Sequence, residues 1–448
     1  MFDIIKNNKG IFGIIGIGIF LVLLIFIIML SVGSNTEVVQ DDTSILPDTS
    51  AERDLSQAER DAIFGPSDTK RWVGDDEDTG KVAPDFRALT KDPVAGAVIF
   101  NRFESGASSP SVRFVTLGDG FVYETTAATV SGQEKLSDKV VNNIGDVVWG
   151  QGGTEVLMRN YSSSLEVVSA TLGTFMQGSS TENTNEFSEY QTTYEHRQID
   201  NNIRTAAFSP DGTQLFYLVE ASNGTVGFLE SVQTGTKAVM WKSVFKNLTV
   251  SWTSDNNIII YSNPSSHLEG AVWSLNPSSG STRVLLTKEL ALSAKLSPSG
   301  NKLLYSLQED ESGAFSLRVL DLNEGKFRVL PIDTMTEKCA WGPNESSNIY
   351  CAVPRESVGG DFLEDWYMGA DYTDDVIWKL NVNSGSANML LDPRETTGEE
   401  FDVVDLQTDP HEGYLIFKTR VNNALWSLKL PEEEKPTTEE GAGEVVGE

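Results

Sequence analysis

The sequence predicts an all-β fold, a seven-bladed β-propeller, on three observations. A four-strand unit recurs through the middle of the chain, and the bulky residue ending its first strand falls at Phe208, Trp252, Leu296 and Trp341, at spacings of 44, 44 and 45 residues. The same turn chemistry follows that residue in each copy. No stretch beyond residue 83 holds a sustained helical period. A repeat of ~40–45 residues made of four strands is the pattern of propeller blades.

Ahead of the repeats stands an apolar run. Gly10 to Thr36 contains no charged residue, and Ile11 to Val32 is nearly all Ile, Leu, Phe, Val, Met or Gly. As a helix, residues 11–32 reach roughly 33 Å at ~1.5 Å per residue, against a hydrocarbon layer about 30 Å thick. Lys6 and Lys9 precede the run, and Glu37, Asp41 and Asp42 follow it. Basic flanks stay on the cytoplasmic side, so residues 1–10 are expected inside and everything after the span outside, periplasmic or extracellular. The competing reading is a cleaved signal peptide with Ser31 and Gly33 near the cut; the run is long for that role.

Residues 33–82 hold 13 acids and 5 bases without apolar periodicity and read as an acidic flexible tether. A short helix is expected over Ser50 to Phe64, capped by Ser50. Asp75, Glu77 and Gly80 open like a calcium loop, but the twelfth position is Phe86 where such loops need a bidentate Glu, so this stretch is assigned to the tether. At the other end, residues 431–448, with seven Glu and one Lys, read as a disordered acidic tail.

Between them, residues 83–430 are read as the propeller. The copies are Thr205 to Leu218, Val250 to Tyr261, Ala294 to Tyr305 and Cys339 to Tyr350. In the turn Ser209-Pro210-Asp211-Gly212, Pro presets φ, Asp bonds its own backbone two residues on, and Gly takes positive φ. Third and fourth strands are joined by similar punctuation, as at Asn323-Glu324-Gly325 and Asn383-Ser384-Gly385. Extending the frame adds units beginning near Ala97, Val147 and Val403. The last has three strands of its own, ending at Leu430, while Phe86 to Thr90 resembles a fourth strand and is expected to close the ring against it.

At Phe208-Ser209-Pro210-Asp211-Gly212 and Leu296-Ser297-Pro298-Ser299-Gly300 the chain resembles the TolB-like, or WD40-like, β-propeller repeats of bacterial envelope proteins. The copies at Trp252 and Trp341 are degenerate, and the outer units match by strand pattern alone. The resemblance spans about 350 residues and implies the fold. Such propellers serve as protein-binding scaffolds, as lyases and as gating domains of peptidases, so no activity and no catalytic residue is implied.

The chain carries 34 basic and 65 acidic side chains, net −31, which argues against nucleic-acid binding. Two Cys and three His argue against a disulfide scaffold or a zinc cluster. There is no Gly-x-Ser-x-Gly elbow for a peptidase, and His196, His267 and His411 are scattered over the repeat frame. The largest insertion, Pro354 to Asp375, separates the second and third strands of the sixth unit. Its Asp361, Phe362, Glu364, Asp365, Trp366, Tyr367, Asp371 and Tyr372 mix aromatic anchors with acids, the make-up of a recognition loop. Two other readings stay open, a solvated acidic loop and a calcium site. A second insertion, Leu172 to Thr193, lies between third and fourth strands of the second unit and reads as disordered. Cys339 and Cys351 flank one hairpin turn as cross-strand neighbours, either disulfide-bonded in an oxidising compartment or a buried pair of thiols.

These features favour a single-pass protein of the cytoplasmic membrane. It displays a propeller outside the cytoplasm for binding a protein of basic or mixed surface, without catalytic residues, cofactor or metal. The alternatives are a lyase or glycan-processing enzyme with its site in the central channel, and an ion- or small-molecule-binding sensor.

Overall fold

The computed structural model describes residues 83–432, apart from 105–106, 139–140, 142, 162–166, 178–191, 201, 310–312 and 344–345. The span 11–32, the tether 33–82 with its calcium-like stretch, and the tail from residue 433 lie outside the described residues. Among the described residues no helix is long and apolar enough to cross a membrane.

The described chain is built of antiparallel meanders. The N-terminal strand β1 (Phe86–Ala88) stands apart from its sequence neighbours. The first meander is β2 (Val94–Glu104), β3 (Ala107–Thr116), β4 (Val122–Thr126) and β5 (Glu134–Lys135). The second is β6 (Ile144–Trp149), β7 (Glu155–Tyr161), β8 (Val167–Gln177) and β9 (Thr192–Gln198). The third is β10 (Ile203–Phe208), β11 (Gln214–Ala221), β12 (Gly224–Ser231) and β13 (Lys237–Ser243). A seven-stranded sheet follows, made of β14 (Leu248–Ser254), β15 (Asn257–Ser262), β16 (Glu269–Leu275), β17 (Thr282–Leu296), β18 (Lys302–Gln308), β19 (Phe315–Asp321) and β20 (Phe327–Val329). Its long β17 ends one meander and begins the next. Then come β21 (Cys339–Trp341), β22 (Asn348–Pro354), β23 (Asp375–Asn381) and β24 (Ala387–Leu391). The last sheet is β25 (Val403–Thr408), β26 (Tyr414–Thr419) and β27 (Leu425–Lys429), and β1 pairs onto its outer edge, Phe86 opposite Leu428.

First strands touch in succession: β2 with β6, β6 with β10, β10 with β14, β14 with β17, β21 with β25, and β25 with β2. Between β17 and β21 the link is made by Lys295 Nζ, which donates to Cys339 O at 2.7 Å, and by Trp341 Nε1, which donates to Lys295 O at 3.2 Å. Each neighbouring pair of meanders encloses its own apolar cluster. Leu157, Leu172 and Tyr217 fill one interface, and Leu304, Ile349 and Leu380 another. The circuit closes where Phe114 and Ile99 of the first meander meet Ile416 and Leu425 of the last. Full burial of one such side chain contributes about 1.5–3 kcal/mol. Stability is therefore spread around the circuit, and the arrangement is that of a β-propeller.

The turns owe their geometry to short polar side chains. Ser209 Oγ bonds Asp211 at 2.6 Å and accepts the Gln214 amide at 2.9 Å, while Gly212 takes φ 72°. Asn276, Asp321 and Asn381 each accept two amides of the turn that follows, completed by Gly280, Gly325 and Gly385 at positive φ. Cys339 and Cys351 are direct cross-strand partners in β21 and β22, with Cα atoms 4.1 Å apart and sulfurs joined. Replacing both with serine is expected to lower stability by about 2–3 kcal/mol, because the bond closes a short loop in the unfolded chain. Thiol titration of unfolded, unreduced protein should find no free thiol; two would rule the bond out.

Two local expectations are corrected. The stretch 172–177, assigned to the second insertion, is strand: β8 runs on to Gln177 and pairs with β9 there. The connection 178–191 lies outside the described residues. Helix is present where no helical period is legible: α1 (Phe362–Met368) lies in the sixth-unit insertion, and α2 (Pro393–Thr397) joins β24 to β25. Both are too short to show a period, and each ends on a glycine in the left-handed region.

Candidate functional site

The insertion between β22 and β23 folds inward. Phe362, Leu363 and Trp366 on one side of α1 are buried against Ala291 of β17, Phe315 of β19 and Met335, with Val404 of β25 alongside. Polar contacts tie the helix to four other segments. Glu364 Oε1 accepts the Ser265 hydroxyl at 2.9 Å and the Ser266 amide at 2.8 Å, both from the β15–β16 connection. Burial pushes the Glu364 carboxyl up, but these donors outweigh it and its pKa lies below the ordinary value. Tyr367 donates to Glu337 Oε1 at 2.7 Å. The Arg420 guanidinium, from the β26–β27 connection, lies 4.2 Å from the Trp366 ring centre and donates to Trp366 O at 2.5 Å. Trp366 Nε1 donates to Asp402 Oδ2 at 2.9 Å.

Beneath the helix is a closed ionic knot. Lys338 ends a 3₁₀ turn (Thr336–Lys338) just before β21 and is fully buried. Its Nζ donates to Thr373 Oγ1 at 2.7 Å, Asp375 Oδ2 at 2.7 Å and Asp402 Oδ1 at 2.6 Å. Both carboxylates are also fully buried. The knot pins the far end of the insertion and the start of β25 to β21. Burial pushes the Asp375 carboxyl up, opposed by Lys338 and by the Val403 amide, and its Oδ1 has no hydrogen-bond partner.

The eight candidate residues therefore divide. Phe362 and Trp366 are core, Glu364 is an anchoring acceptor, and the Asp365 carbonyl accepts the amides of Ala370 and Asp371 behind the helix. Asp361 is exposed and lies 2.8 Å from His267 Nε2. Asp371 and Tyr372 are exposed, with Met368 at 73%. Leu268, 71% exposed, sits beside the His267 contact, and Val421, 59% exposed, beside Arg420. The insertion is thus fixed on its inner side and leaves Asp361, Met368, Asp371 and Tyr372 exposed. Among the described residues no cluster of three or more His, Cys, Asp or Glu side chains is placed to hold a metal ion.

A second group lies between the inner strands. Lys295 of β17 and Asp405 of β25 belong to first strands separated by β21, yet each feels the other's charge. Lys418 Nζ lies 3.0 Å from Asp405 Oδ2 and holds that carboxyl below its ordinary range, whereas burial lowers the Lys295 ammonium. Tyr367 is 45% exposed, yet desolvation, and then the Glu337 charge, raise its phenol well above the usual value. Lys295 and Asp405 are charged positions on first strands. Lys338 and Asp402 carry no sequence signal beyond a lysine and an aspartate just ahead of first strands.

No protein-family model matches the sequence, and no curated protein sequence does. Solved structures resemble it in fold. TolB from Acinetobacter baumannii is 13% identical at a TM-score of 0.40, over 69% of this chain and 65% of that one. An oligogalacturonate lyase in complex with manganese is 11% identical at 0.46, over 76% of this chain and 99% of the lyase. The β-propeller domain of Cps50 (Swd1) from Myceliophteria thermophila is 9% identical at 0.45, over 77% and 100%. None carries a residue role or an activity across to this chain.

Proposed function

We propose that the chain is a single-pass membrane protein that displays a seven-bladed propeller outside the cytoplasm as a protein-binding scaffold. Dividing the seven-stranded sheet at β17 supports this blade count. Residues 11–32 anchor the protein and the acidic tether 33–82 holds the propeller off the bilayer. One observation carries the binding role: α1 is immobilised by buried contacts while its Met368 and the following Tyr372 stay exposed. Rigid apolar and aromatic side chains with an acidic surround lose little entropy on docking and suit a partner of basic or mixed surface.

Crosslinking of the full-length chain in its native membranes tests this. A partner captured by the intact protein should be lost when residues 355–374 are deleted, and when Met368 and Tyr372 are both replaced by aspartate. The double replacement leaves every buried contact of α1 in place. Capture indifferent to both changes would move the binding role elsewhere.

Lys295, Glu337, Tyr367, Asp405 and Lys418 favour a second reading, in which the channel holds a small polar ligand and the protein is a sensor or an enzyme. Absence of any captured partner, together with a melting shift on ligand screening that Lys295→Met removes, would support it over the scaffold.

A further inference from the structure

The outer strands of the third and fourth meanders border an open cleft of about 420 Å³ lined by Met240, Trp241, Lys242, Phe245, Trp273 and Thr282. The Trp241 and Trp273 rings are 6.2 Å apart and those of Phe245 and Trp273 5.5 Å apart. Phe245 is 56% exposed, and the apolar surface continues through Val244 at 80% and Val284 at 54%. Strand β13 is the edge of its sheet and pairs on one side only, so its free side presents main-chain donors and acceptors.

The surroundings of the cleft are close to neutral in an acidic molecule: residues 203–296 hold seven bases and six acids. Residues 237–288 contain five bases, Lys237, Lys242, Lys246, Arg283 and Lys288, and two acids, Asp255 and Glu269, in a chain of net charge −31. Lys237 is paired with Asp200 and Lys246 with Glu220, whereas Lys242, on the cleft wall, is exposed.

We propose that this cleft receives an extended acidic segment of a partner protein, with a bulky apolar side chain packing onto Phe245 and Trp273 and a carboxylate meeting Lys242. An edge strand beside an aromatic pocket recognises an extended peptide through main-chain pairing and one anchor side chain. Lys242 selects an acidic one. A sugar chain fits less well: the polar side chains lining the cleft are Lys242, Ser243 and Thr282, with no carboxylate or amide to grip ring hydroxyls. The cleft and the platform at α1 both draw on the fourth meander, whose β15–β16 connection bonds Glu364, but they share no residue.

The test uses the full-length chain and a fluorescein-labelled octapeptide of glutamates around two central phenylalanines, followed by fluorescence anisotropy. Saturable binding is expected, weakened by salt and at least tenfold weaker in Lys242→Glu and in Phe245→Ser, both exposed positions. Lys326→Glu, on a different meander, should leave it unchanged, and the same peptide with lysines for glutamates should bind at least tenfold more weakly. The proposal is overturned by no saturable binding, by binding indifferent to both cleft variants, or by an oligouronate occupying the cleft while the peptide does not. Self-association of the chain that Lys242→Glu abolishes would overturn it as well, since a second copy would then be the occupant.

Discussion

Lys338→Met is expected to destabilise the propeller by about 3–5 kcal/mol, the cost of leaving buried charge without its partner. Methionine matches the lysine stem in length, so packing changes little and the loss is electrostatic. Asp375 and Asp402, both fully buried, would face each other with no cation between them. Their carboxyl pKa values would then rise above those of the unfolded chain. A raised carboxyl pKa means that the folded state holds protons the unfolded state releases. The variant's deficit should accordingly be largest near neutral pH and shrink as pH falls toward about 4, where the unfolded carboxylates also protonate. Denaturant midpoints at pH 7 and pH 4.5, compared with the parent at each pH, measure this. Adding Asp375→Asn and Asp402→Asn to Lys338→Met should recover much of the loss, as neutral replacement of a whole buried ionic group often does. A deficit independent of pH, or no recovery in the triple variant, would assign Lys338 to packing alone.

The consequences reach the platform. Asp402 holds both Lys338 and the Trp366 indole, so a change in the knot is felt by α1. Lys338→Met should increase protease cleavage near Arg355 before global unfolding, because one end of the insertion loses its fastening.

What was legible in the sequence is what local chemistry dictates. The turn at Ser209 to Gly212 closes through bonds between residues two to five apart, and the short spacing Cys339 to Cys351 limits the hairpin register. The bulky residue at the end of each first strand follows from what a blade must bury. The candidate site was legible in composition and not in arrangement. Trp366 and Tyr372 have similar make-up and neighbours, yet one is core and the other half exposed. The difference is set by Asp402 and Arg420, 36 and 54 residues away from Trp366. Lys338 depends likewise on partners 37 and 64 residues distant. Lys295 and Asp405 are ordinary charged residues until closure brings β17 and β25 to a common centre.

Removing β1 should unfold the last sheet and with it much of the propeller. A chain beginning at residue 83 is expected to keep the parent's cooperative transition, and one beginning at residue 91 to lose on the order of 5 kcal/mol. Phe86 stacks on Trp426 with ring centres 4.9 Å apart, and Ala88 and Leu89 are buried. Arg87, 2% exposed, donates to Thr126 O at 2.8 Å and Thr129 O at 3.0 Å, stitching the last sheet to the first meander. The Leu89 amide donates to Leu425 O at 2.7 Å. Without the strand, β27 becomes an open edge that carries Trp426, a template for pairing between molecules. A loss of this size is a large share of the 5–15 kcal/mol that ordinary domains possess, so aggregation should accompany it. Because the strand acts by pairing, a synthetic peptide of residues 83–92 supplied in excess should restore part of the lost transition. Leu428→Lys in β27, whose backbone pairs with Phe86, should weaken that rescue. Equal midpoints for the two truncated chains would mean that the circuit is held by the first strands alone, and that β1 is an appendage to a ring already closed.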